Sequence, residues 1–358
     1  MAITAAMVKE LREMSGAGMM DCKKALTETN GDMDAAVDVL KKSGAAKMEK
    51  KASRIAAEGI ARVAATDTVA VVVEVNSETD FVAKNETFQE FVQVVADNAL
   101  ASGLEGGANG EDIEAVLEMN GLKELLVEKT ATIGEKLSVR RFAKVTGDCV
   151  ASYLHAGGKI GVLVAGTGAS DVKEALTNVA MQIAAMNPQY ISRAEISADE
   201  LAKIREITVD SALNDPASLP KPIQNELYTK VETEKLFSEE DLAILAEKKN
   251  DKYLYNFLSK EAIAKLAELA LSGKAAYVDN KIFAGLVEGR ISKQLKEICL
   301  LDQTYVKAED GKQTVAAYLA SVNKDLAIAK FVRFEVGEGM EKKNEDFAAE
   351  VAAQMANA

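Results

Sequence analysis

The sequence predicts an α+β protein with several domains, and three features of the chain support this fold class. Apolar residues recur at helical spacing near the N-terminus, two β-rich stretches are each followed by a turn and a helix, and a long charged stretch lacks any strand signal. The 358 residues also exceed the ~250 to 300 at which single hydrophobic cores usually stop growing. A hydrophobic content of 48% is enough for more than one core.

The first helical region covers residues 4–44 and predicts a three-helix bundle. Gly16 and Gly18 separate the first two helices, and Asp32 is a candidate N-cap for the third. Because so small a bundle is marginal as a catalytic domain, we expect a docking module. A stretch rich in Lys and Ala over 45–58 is predicted to continue as a helical linker.

The first β-rich stretch, residues 69–75, is followed by a polar turn and a predicted helix over 86–100. The turn carries Phe81, one of 10 Phe in a chain that has no Trp and is only 5% aromatic. A ring placed on such a turn is either packed in the core or offered to a partner. The pattern alone leaves both alternatives open.

The second β-rich stretch, residues 160–164, leads through a Gly-rich turn into a predicted helix over 171–186. The similar spacing predicts an internal duplication in which each half is an α+β layer. Before this copy, residues 137–145 and 149–155 are predicted as strands that pair with each other in antiparallel fashion, since the turn between them is short. A further strand is predicted over 331–336.

Charged helical sequence replaces the strand pattern between about residue 192 and residue 300. The chain has 4 prolines, all between positions 188 and 222, and they predict a break between helices. Ser238 starts a helix of capping-box type, and an amphipathic helix is predicted over 346–355. The predicted domains are 1–54, the helical module and linker; 55–148, the first half of the core; 149–190 with 303–336, the second half; 191–302, an inserted helical arm; and 337–358, a C-terminal module.

Charge and cysteine usage limit the partners and the compartment. With Lys plus Arg at 43 and Asp plus Glu at 56, the net charge of -13 repels a phosphate backbone, so no direct nucleic-acid partner is expected. The 3 cysteines form no CxxC pair and the chain has 1 His, so we expect reduced thiols, no metal site and no cofactor. The absence of a signal-peptide pattern and of a run of ~20 apolar residues predicts a cytoplasmic protein without a membrane partner.

A catalytic function requires groups that the sequence does not supply. No GxxxxGK[ST] loop is present, and Gly166 with Gly168 lacks the third glycine of a nucleotide-binding turn. A Ser-His-Asp triad could only be built on His155, the single imidazole. No pair of carboxylates stands out as acid and base. We therefore expect a protein that is not an enzyme and that holds another protein.

Two long stretches are similar to signatures of a known family. Residues 11–26 resemble the N-terminal signature of translation elongation factor Ts of the bacterial type, and EVNSETDFVAK at 74–84 resembles its second signature. Further matches follow in order, namely Ile133 and Gly134, SYLHAGGKIGVLV at 152–164, EGR at 288–290, CLLDQTYV at 299–306 and RFEVGEG at 333–339. The resemblance covers nearly the whole chain outside the arm.

The resemblance implies a guanine-nucleotide exchange factor for elongation factor Tu, the GTPase that carries aminoacyl-tRNA to the ribosome. In that family the bundle is similar to a ubiquitin-associated domain and docks on the GTPase, and the arm is coiled-coil-like. Phe81 would act as a wedge near the Mg²⁺ site of the GDP-bound partner, with Asp80 anchoring the turn by hydrogen bonds. The implied contacts with elongation factor Tu are Lys9, Arg12, Met19, Met20, Thr79, Asp80, Phe81, Val82, Ile133, Gly134 and His155.

Several alternatives remain beside this interpretation. Core packing within the bundle is the alternative for Met19 and Met20, because exposing both has a cost. An ordinary core or surface position is the alternative for His155. The arm is longer than in a typical bacterial member, and a homodimer contact or an extra partner surface are its two candidate roles. The rival function classes are a peptide-binding module in the bundle and a nucleotide-handling enzyme.

Overall fold

The computed structural model describes residues 3–341, which form fifteen α-helices, seven strands and four short 3-10 helices. They divide into two compact units. The first holds the described residues up to Asn187 and those from Tyr305 onward, and the second is Pro188–Thr304. The fold is mixed α+β with two antiparallel sheets, as the sequence predicts.

The N-terminal bundle has the three predicted helices, α1 (Ala5–Ser15), α2 (Met19–Glu28) and α3 (Met33–Lys51). Gly16 ends α1 in the left-handed region, at φ 65°, and the Asp32 carboxylate accepts the Ala35 N–H as the N-cap of α3. The bundle core is small, and its fully buried residues include Leu11, Cys22, Leu26 and Ala36. The predicted linker over 45–58 is helical only as far as Lys51.

The N-half of the core is a four-stranded antiparallel sheet in the order β1-β2-β4-β3, covered by helices. Its strands are β1 (Glu58–Ala65), β2 (Val69–Ser77), β3 (Gly106–Gly107) and β4 (Ser138–Thr146). Its helices are α4 (Asp80–Ala83), α5 (Glu86–Ser102), α6 (Ile113–Leu117) and α7 (Leu122–Ile133). The sequence analysis missed β1, since EGIARVAA has few β-branched residues and owes its strand to pairing along the whole of β2.

The C-half of the core is a three-stranded antiparallel sheet in the order β5-β6-β7, with α8 (Lys173–Met186) and α15 (Val315–Val322). Its strands are β5 (Cys149–His155), β6 (Ile160–Thr167) and β7 (Ala327–Glu335). Each half consists of a hairpin, then a helix, then a later strand that pairs with the second hairpin strand. The predicted duplication is therefore visible in the topology.

The predicted pairing of residues 137–145 with 149–155 is wrong. These segments are β4, which pairs with β2, and β5, which pairs with β6 in the other sheet. The turn between them bonds to both sheets, because the Gly147 N–H donates to the Thr68 carbonyl and the Asp148 N–H to the Gly166 carbonyl. A short turn thus carries the chain from one sheet to the other. Apolar residues of the two sheets share a core that includes Val72, Val145, Leu163 and Phe334.

The second unit is helical throughout its described regular structure. Its α-helices are α9 (Ala198–Leu213), α10 (Lys221–Glu234), α11 (Glu239–Lys248), α12 (Lys260–Ser272), α13 (Lys274–Val278) and α14 (Lys281–Ile298). Ser238 is the N-cap of α11, and Pro216 starts a 3-10 turn between α9 and α10, as the sequence indicates. These helices enclose a core of their own, with Tyr228, Leu245 and Phe283 fully buried. The helix predicted over 346–355 lies outside the described residues.

Candidate functional site

The Phe81 turn, residues 79–82, follows directly on the buried strand β2. Thr79 is the N-cap of the one-turn helix α4, since its side-chain oxygen accepts the Val82 N–H at 3.4 Å. Val82 is half-buried against the core of the N-half, and Ala83 is buried. Phe81 points away from that core and is 79% exposed. Of the two alternatives for this ring, core packing is therefore wrong.

The Phe81 turn is tied to the rest of the core by Glu135, which follows α7. The Thr79 N–H donates to Glu135 Oε2 at 3.0 Å, and the Thr79 hydroxyl donates to Glu135 Oε1 at 2.6 Å. The Ser77 hydroxyl closes the strand end by donating to the Thr79 carbonyl at 3.0 Å. Hydrogen bonds to an ionised carboxylate are stronger than neutral ones, so Glu135 holds the base of the turn in place.

A second, crossed bond lies beside the first. The Lys136 N–H donates to Glu78 Oε1 at 2.6 Å. Glu78 and Thr79, at the end of β2, are thus bonded to Lys136 and Glu135, which follow α7. Glu78 also accepts Arg54 Nη1 at 3.1 Å, and Lys136 Nζ donates to the Ala52 and Arg54 carbonyls at 2.6 and 2.8 Å. The loop before β1, the Phe81 turn and the loop after α7 therefore form one bonded cluster.

Asp80 stabilises the turn from within and does not tie it to the core. Lys84 Nζ donates to Asp80 Oδ2 at 2.7 Å and lies 5.9 Å from the centre of the Phe81 ring. The hydrogen bond from Lys84 lowers the pKa of Asp80 below its ordinary value. Asp80 thus bonds within the turn, through Lys84, and Thr79 makes the bonds that tie the turn to Glu135.

Ile133 and Gly134 lie at the end of α7, next to Glu135. Ile133 is half-buried against the core of the N-half, and Gly134 is exposed. Gly134 caps the helix at φ 87°, with its N–H bonded to the Thr130 carbonyl at 3.2 Å. The structure thus brings the predicted contacts 133–134 and the predicted contacts 79–82 together through Glu135.

The four predicted contacts in the bundle define the bundle patch, and all are exposed: Lys9, Arg12, Met19 and Met20. Met19 and Met20 are 59% and 75% exposed, so core packing is wrong for both. They are the first two residues of α2, whose buried positions begin only at Cys22. Two exposed thioether side chains near the start of a helix form a flexible apolar contact surface.

His155 lies apart from this cluster, at the end of β5 in the other sheet. Its imidazole is exposed, and Nδ1 is 3.1 Å from the Tyr153 hydroxyl. No hydrogen bond within residues 3–341 joins it directly to the Phe81 turn. The predicted contacts therefore occupy the bundle, the N-half and the C-half separately.

Glu74, the first residue of the EVNSETDFVAK stretch, is a fully buried carboxylate. Its Oε1 accepts Arg140 Nη1 at 2.9 Å and the Gly337 N–H at 2.8 Å, and its Oε2 accepts Arg141 Nε at 2.5 Å. Burial alone would raise the pKa of Glu74, but the Gly337 N–H and the two guanidinium groups outweigh it and lower the pKa. Glu74 therefore links the N-half sheet to the chain beyond β7.

Sequence reasoning did not single out Glu74, Glu78, Glu135 or Lys136. Glu74 and Glu78 lie inside the motif that carried the resemblance, and Glu135 directly follows the matched Ile133 and Gly134. A buried acidic residue in an otherwise β-branched strand was a usable signal for Glu74. Glu135 carried no comparable signal, because its partner lies 56 residues earlier in the chain.

Within residues 3–341, no group of three or more His, Cys, Asp or Glu side chains is placed to hold a metal ion. The same part of the chain has no helix long and apolar enough to span a bilayer. The most distinctive surface of the described residues is an exposed aromatic ring on a bonded turn, which is suited to protein contact.

Comparison with known proteins shows the family of the chain. The family model described as "Elongation factor TS" matches residues 78–338, which include the Phe81 turn, Ile133, Gly134 and His155. The chain belongs to the elongation factor Ts family. A curated relative, "Elongation factor Ts" of Clostridioides difficile (strain 630), is 44% identical over 366 residues and covers 99% of each chain. This match extends through the bundle patch, and membership makes the chain a nucleotide exchange factor of translation elongation.

Proposed function

We propose that this chain binds elongation factor Tu in its GDP-bound form in the cytoplasm, disturbs the Mg²⁺ and phosphate site, and so promotes GDP release and GTP binding. The observation that carries the proposal is the Phe81 ring, which is 79% exposed on a turn whose base is held by Glu135. A ring on a loose turn would lose conformational freedom on binding, whereas a bonded turn presents it in one orientation.

The energetics of a wedge follow from differential burial. GDP held by a GTPase depends on Mg²⁺ and on backbone amides around the phosphates. A ring inserted beside these elements displaces them only if the displaced state buries the ring better. Full burial of a Phe side chain supplies about 1.5–3 kcal/mol. Since about 1.4 kcal/mol is a factor of ten in an equilibrium constant, Phe81 alone accounts for roughly 10- to 150-fold weaker GDP binding.

The remaining predicted contacts supply binding energy that Phe81 does not. The bundle patch offers two exposed Met side chains and two cations, and His155 offers an exposed imidazole on the C-half. Coupling between the chain and GDP on the partner is reciprocal, so a chain that weakens GDP binding is itself weakened by GDP to the same extent. Incoming nucleotide can therefore release the chain, as a recycling factor requires.

The proposal is tested by the release of a fluorescent GDP from elongation factor Tu in the presence of excess unlabelled nucleotide. We expect the release rate to rise with the concentration of the chain and to saturate, and we expect a chain present at less than the partner concentration to turn over and release GDP from all of the partner. Direct binding of labelled GDP to the chain without the partner would favour the nucleotide-handling enzyme instead. Partner binding that survives deletion of everything after residue 54, without accelerated release, would favour the peptide-binding module.

We also propose a homodimer through the helical arm that the sequence predicts over 191–302. Light scattering of the chain over a range of concentrations tests it. A mass of twice 38.2 kDa is expected for the dimer, and a mass of one chain at every concentration contradicts it.

A further inference from the structure

Helix α3 takes part in two hydrophobic cores. In its first half, Ala36 is fully buried in the bundle. In its second half, Met48 is half-buried against the core of the N-half. One continuous helix therefore passes from the bundle to the core, and it packs along α7 on the way.

Helix α3 approaches α7 closely at Gly44, which is buried. A Cβ added at Gly44 would lie 3.1 Å from Val127 Cγ1 and 3.8 Å from Ala131 Cβ. Glycine inside a helix costs about 1 kcal/mol relative to alanine, and Gly44 has no positive φ that would require it. The missing side chain therefore serves the contact, because the separation of packed helices depends on the side chains between them.

Two hydrogen bonds also join the bundle to α7. Lys51 Nζ donates to the Thr130 carbonyl at 3.4 Å, and the Thr132 hydroxyl donates to the Gly16 carbonyl at 3.3 Å. A cleft of about 540 Å³, lined by Met14, Leu40, Gly44, Val127 and other residues, lies between the bundle and α7. The contact at Gly44 and these two hydrogen bonds are therefore among the points that set the orientation of the bundle on α7.

Helix α7 also supports the Phe81 turn. Its C-terminal end leads into Ile133, Gly134 and Glu135, and Glu135 holds Thr79. The bundle lies against the side of α7 and the Phe81 turn is bonded to its end. Displacing the bundle on α7 therefore moves the bundle patch relative to the Phe81 turn.

We infer that Gly44 is a positioning residue that sets the bundle on α7, so that the bundle patch and the Phe81 turn meet one partner molecule at the same time. This inference rests on the proposed function. Two contact surfaces that can engage one partner at the same time bind it roughly 10²- to 10⁴-fold more tightly than either surface alone, without any new contact. A bundle in the wrong position loses that gain, while the Phe81 turn keeps its structure.

The first test uses the chain alone and replaces Gly44 with Leu. Spin labels on cysteines introduced at Lys24 in α2 and Glu90 in α5, both exposed, report the distance between bundle and core. The native cysteines of the described chain are buried and do not compete for the label. We expect the distribution of distances between the two labels to be shifted or broadened in Gly44→Leu, compared with the labelled chain that keeps Gly44. An unchanged distribution would overturn the inference.

Gly289 provides the matched control, since it is also helical and nothing lies within 4 Å of a Cβ added there. Gly289→Leu should leave the label distances as in the parent. Gly44→Ala is a milder variant, and Val127→Ala in the same chain removes the methyl group that its Cβ would meet. We expect a small shift in Gly44→Ala that Val127→Ala reverses. The same shift in the presence of Val127→Ala would contradict the contact at Gly44.

The second test measures GDP release from elongation factor Tu at increasing concentrations of each variant. We expect Gly44→Leu to raise the half-saturating concentration by about tenfold or more, with the maximal rate within about twofold of the parent. Gly289→Leu should change neither. A fall in maximal rate at an unchanged half-saturating concentration would overturn the inference. If the parent itself gives no acceleration, the proposed function fails, and the label distances still decide the role of Gly44.

Discussion

At the residue scale, the site depends on a pair of side chains that sequence patterns do not connect. Thr79 serves the Phe81 turn twice, because its oxygen accepts the Val82 N–H while its hydroxyl and N–H donate to Glu135. Phe81 contributes little to the core and is free to contact a partner. The orientation of an exposed ring is thus determined by a carboxylate on another loop.

The first prediction concerns Glu135→Ala. Loss of this carboxylate leaves two donors of Thr79 without their acceptor, and hydrogen bonds to charged groups contribute about 1.5–3 kcal/mol each. We expect the maximal rate of GDP release to fall at least about tenfold, since a loss of only about 1.4 kcal/mol already corresponds to that factor.

The control for this prediction is Glu124→Ala, which removes an exposed glutamate from the first turn of the same helix. It should leave release unchanged. Thr79→Ser keeps the hydroxyl and should behave as the parent. Thr79→Val keeps the N–H bond to Glu135 but loses the hydroxyl bond and the N-cap, so it should lower the rate in the same direction as Glu135→Ala. Equal rates for all four variants would show that Glu135 does not position the ring.

Much of the local structure could be predicted from the sequence, because it depends on neighbouring residues. Gly16 and Asp32 end and begin helices through their own backbone freedom and side-chain oxygen. The exposure of Phe81 could not be decided in this way, since a ring on a turn fits either environment. The bond between Thr79 and Glu135 joins residues 56 positions apart, and no local pattern records it.

At the element scale, α7 is the helix on which the predicted contacts of the N-half and the bundle depend. It carries the bundle on its side and Ile133, Gly134 and Glu135 at its end. Helix periodicity predicts such elements well, but strand partners depend on distant residues. This is why β1 was missed and why β4 and β5 were paired with each other, although the chain between them crosses from one sheet to the other.

The second prediction concerns Gly134→Ala at the end of α7. An added Cβ meets nothing within 4 Å, but φ is 87°, a conformation that costs a non-glycine residue about 1–2 kcal/mol. We expect α7 and β4 to lose about that much protection in residue-resolved hydrogen exchange. Hydrogen exchange is suitable because two compact units need not unfold in a single transition.

Gly289→Ala is the same substitution as Gly134→Ala, but we expect it to stabilise the protein. Gly289 lies inside α14 with open space around it and no positive φ. Alanine there should stabilise the helix by up to about 1 kcal/mol. A loss of protection at α14, or a gain at α7 for Gly134→Ala, would contradict this account of the two glycines.

At the scale of the whole molecule, Glu74 joins parts of the chain that are far apart in sequence. Its carboxylate bonds Arg140 and Arg141 of β4 and the Gly337 N–H, which is 263 residues away. Arg141 also lies over the Phe334 ring, 4.2 Å from its centre. A buried charge of this kind is stable only while its partners are in place.

The third prediction concerns Glu74→Gln and the pH dependence of stability. Since the pKa of Glu74 is lowered from the ordinary 4.5, its contribution is complete above that value and is lost as pH falls through the folded-state pKa. At pH 7 we expect the variant to be less stable by about 3–5 kcal/mol, because it removes one partner of a buried ion pair. The difference should narrow below pH 4.5.

Urea midpoints of the transition that unfolds the first unit, compared between the two proteins from pH 7 to about pH 3.5, check this prediction. Glu338→Gln is a suitable control, since Glu338 touches the same Arg141 at 3.3 Å but is largely exposed. It should show a much smaller difference at every pH. A gap between Glu74→Gln and the parent that stays constant with pH would mean that the ionised carboxylate is not the stabilising group.

The measurement that tests the central claim most directly is GDP release from elongation factor Tu with saturating Phe81→Ala. The ring is 79% exposed, so its removal should change the stability of the chain by no more than about 0.5 kcal/mol. Loss of about 1.5–3 kcal/mol of ring burial in the complex predicts a maximal release rate at least about tenfold below that of the parent. A folded Phe81→Ala chain that accelerates release as well as the parent would contradict the claim that the exposed ring displaces the elements that hold GDP.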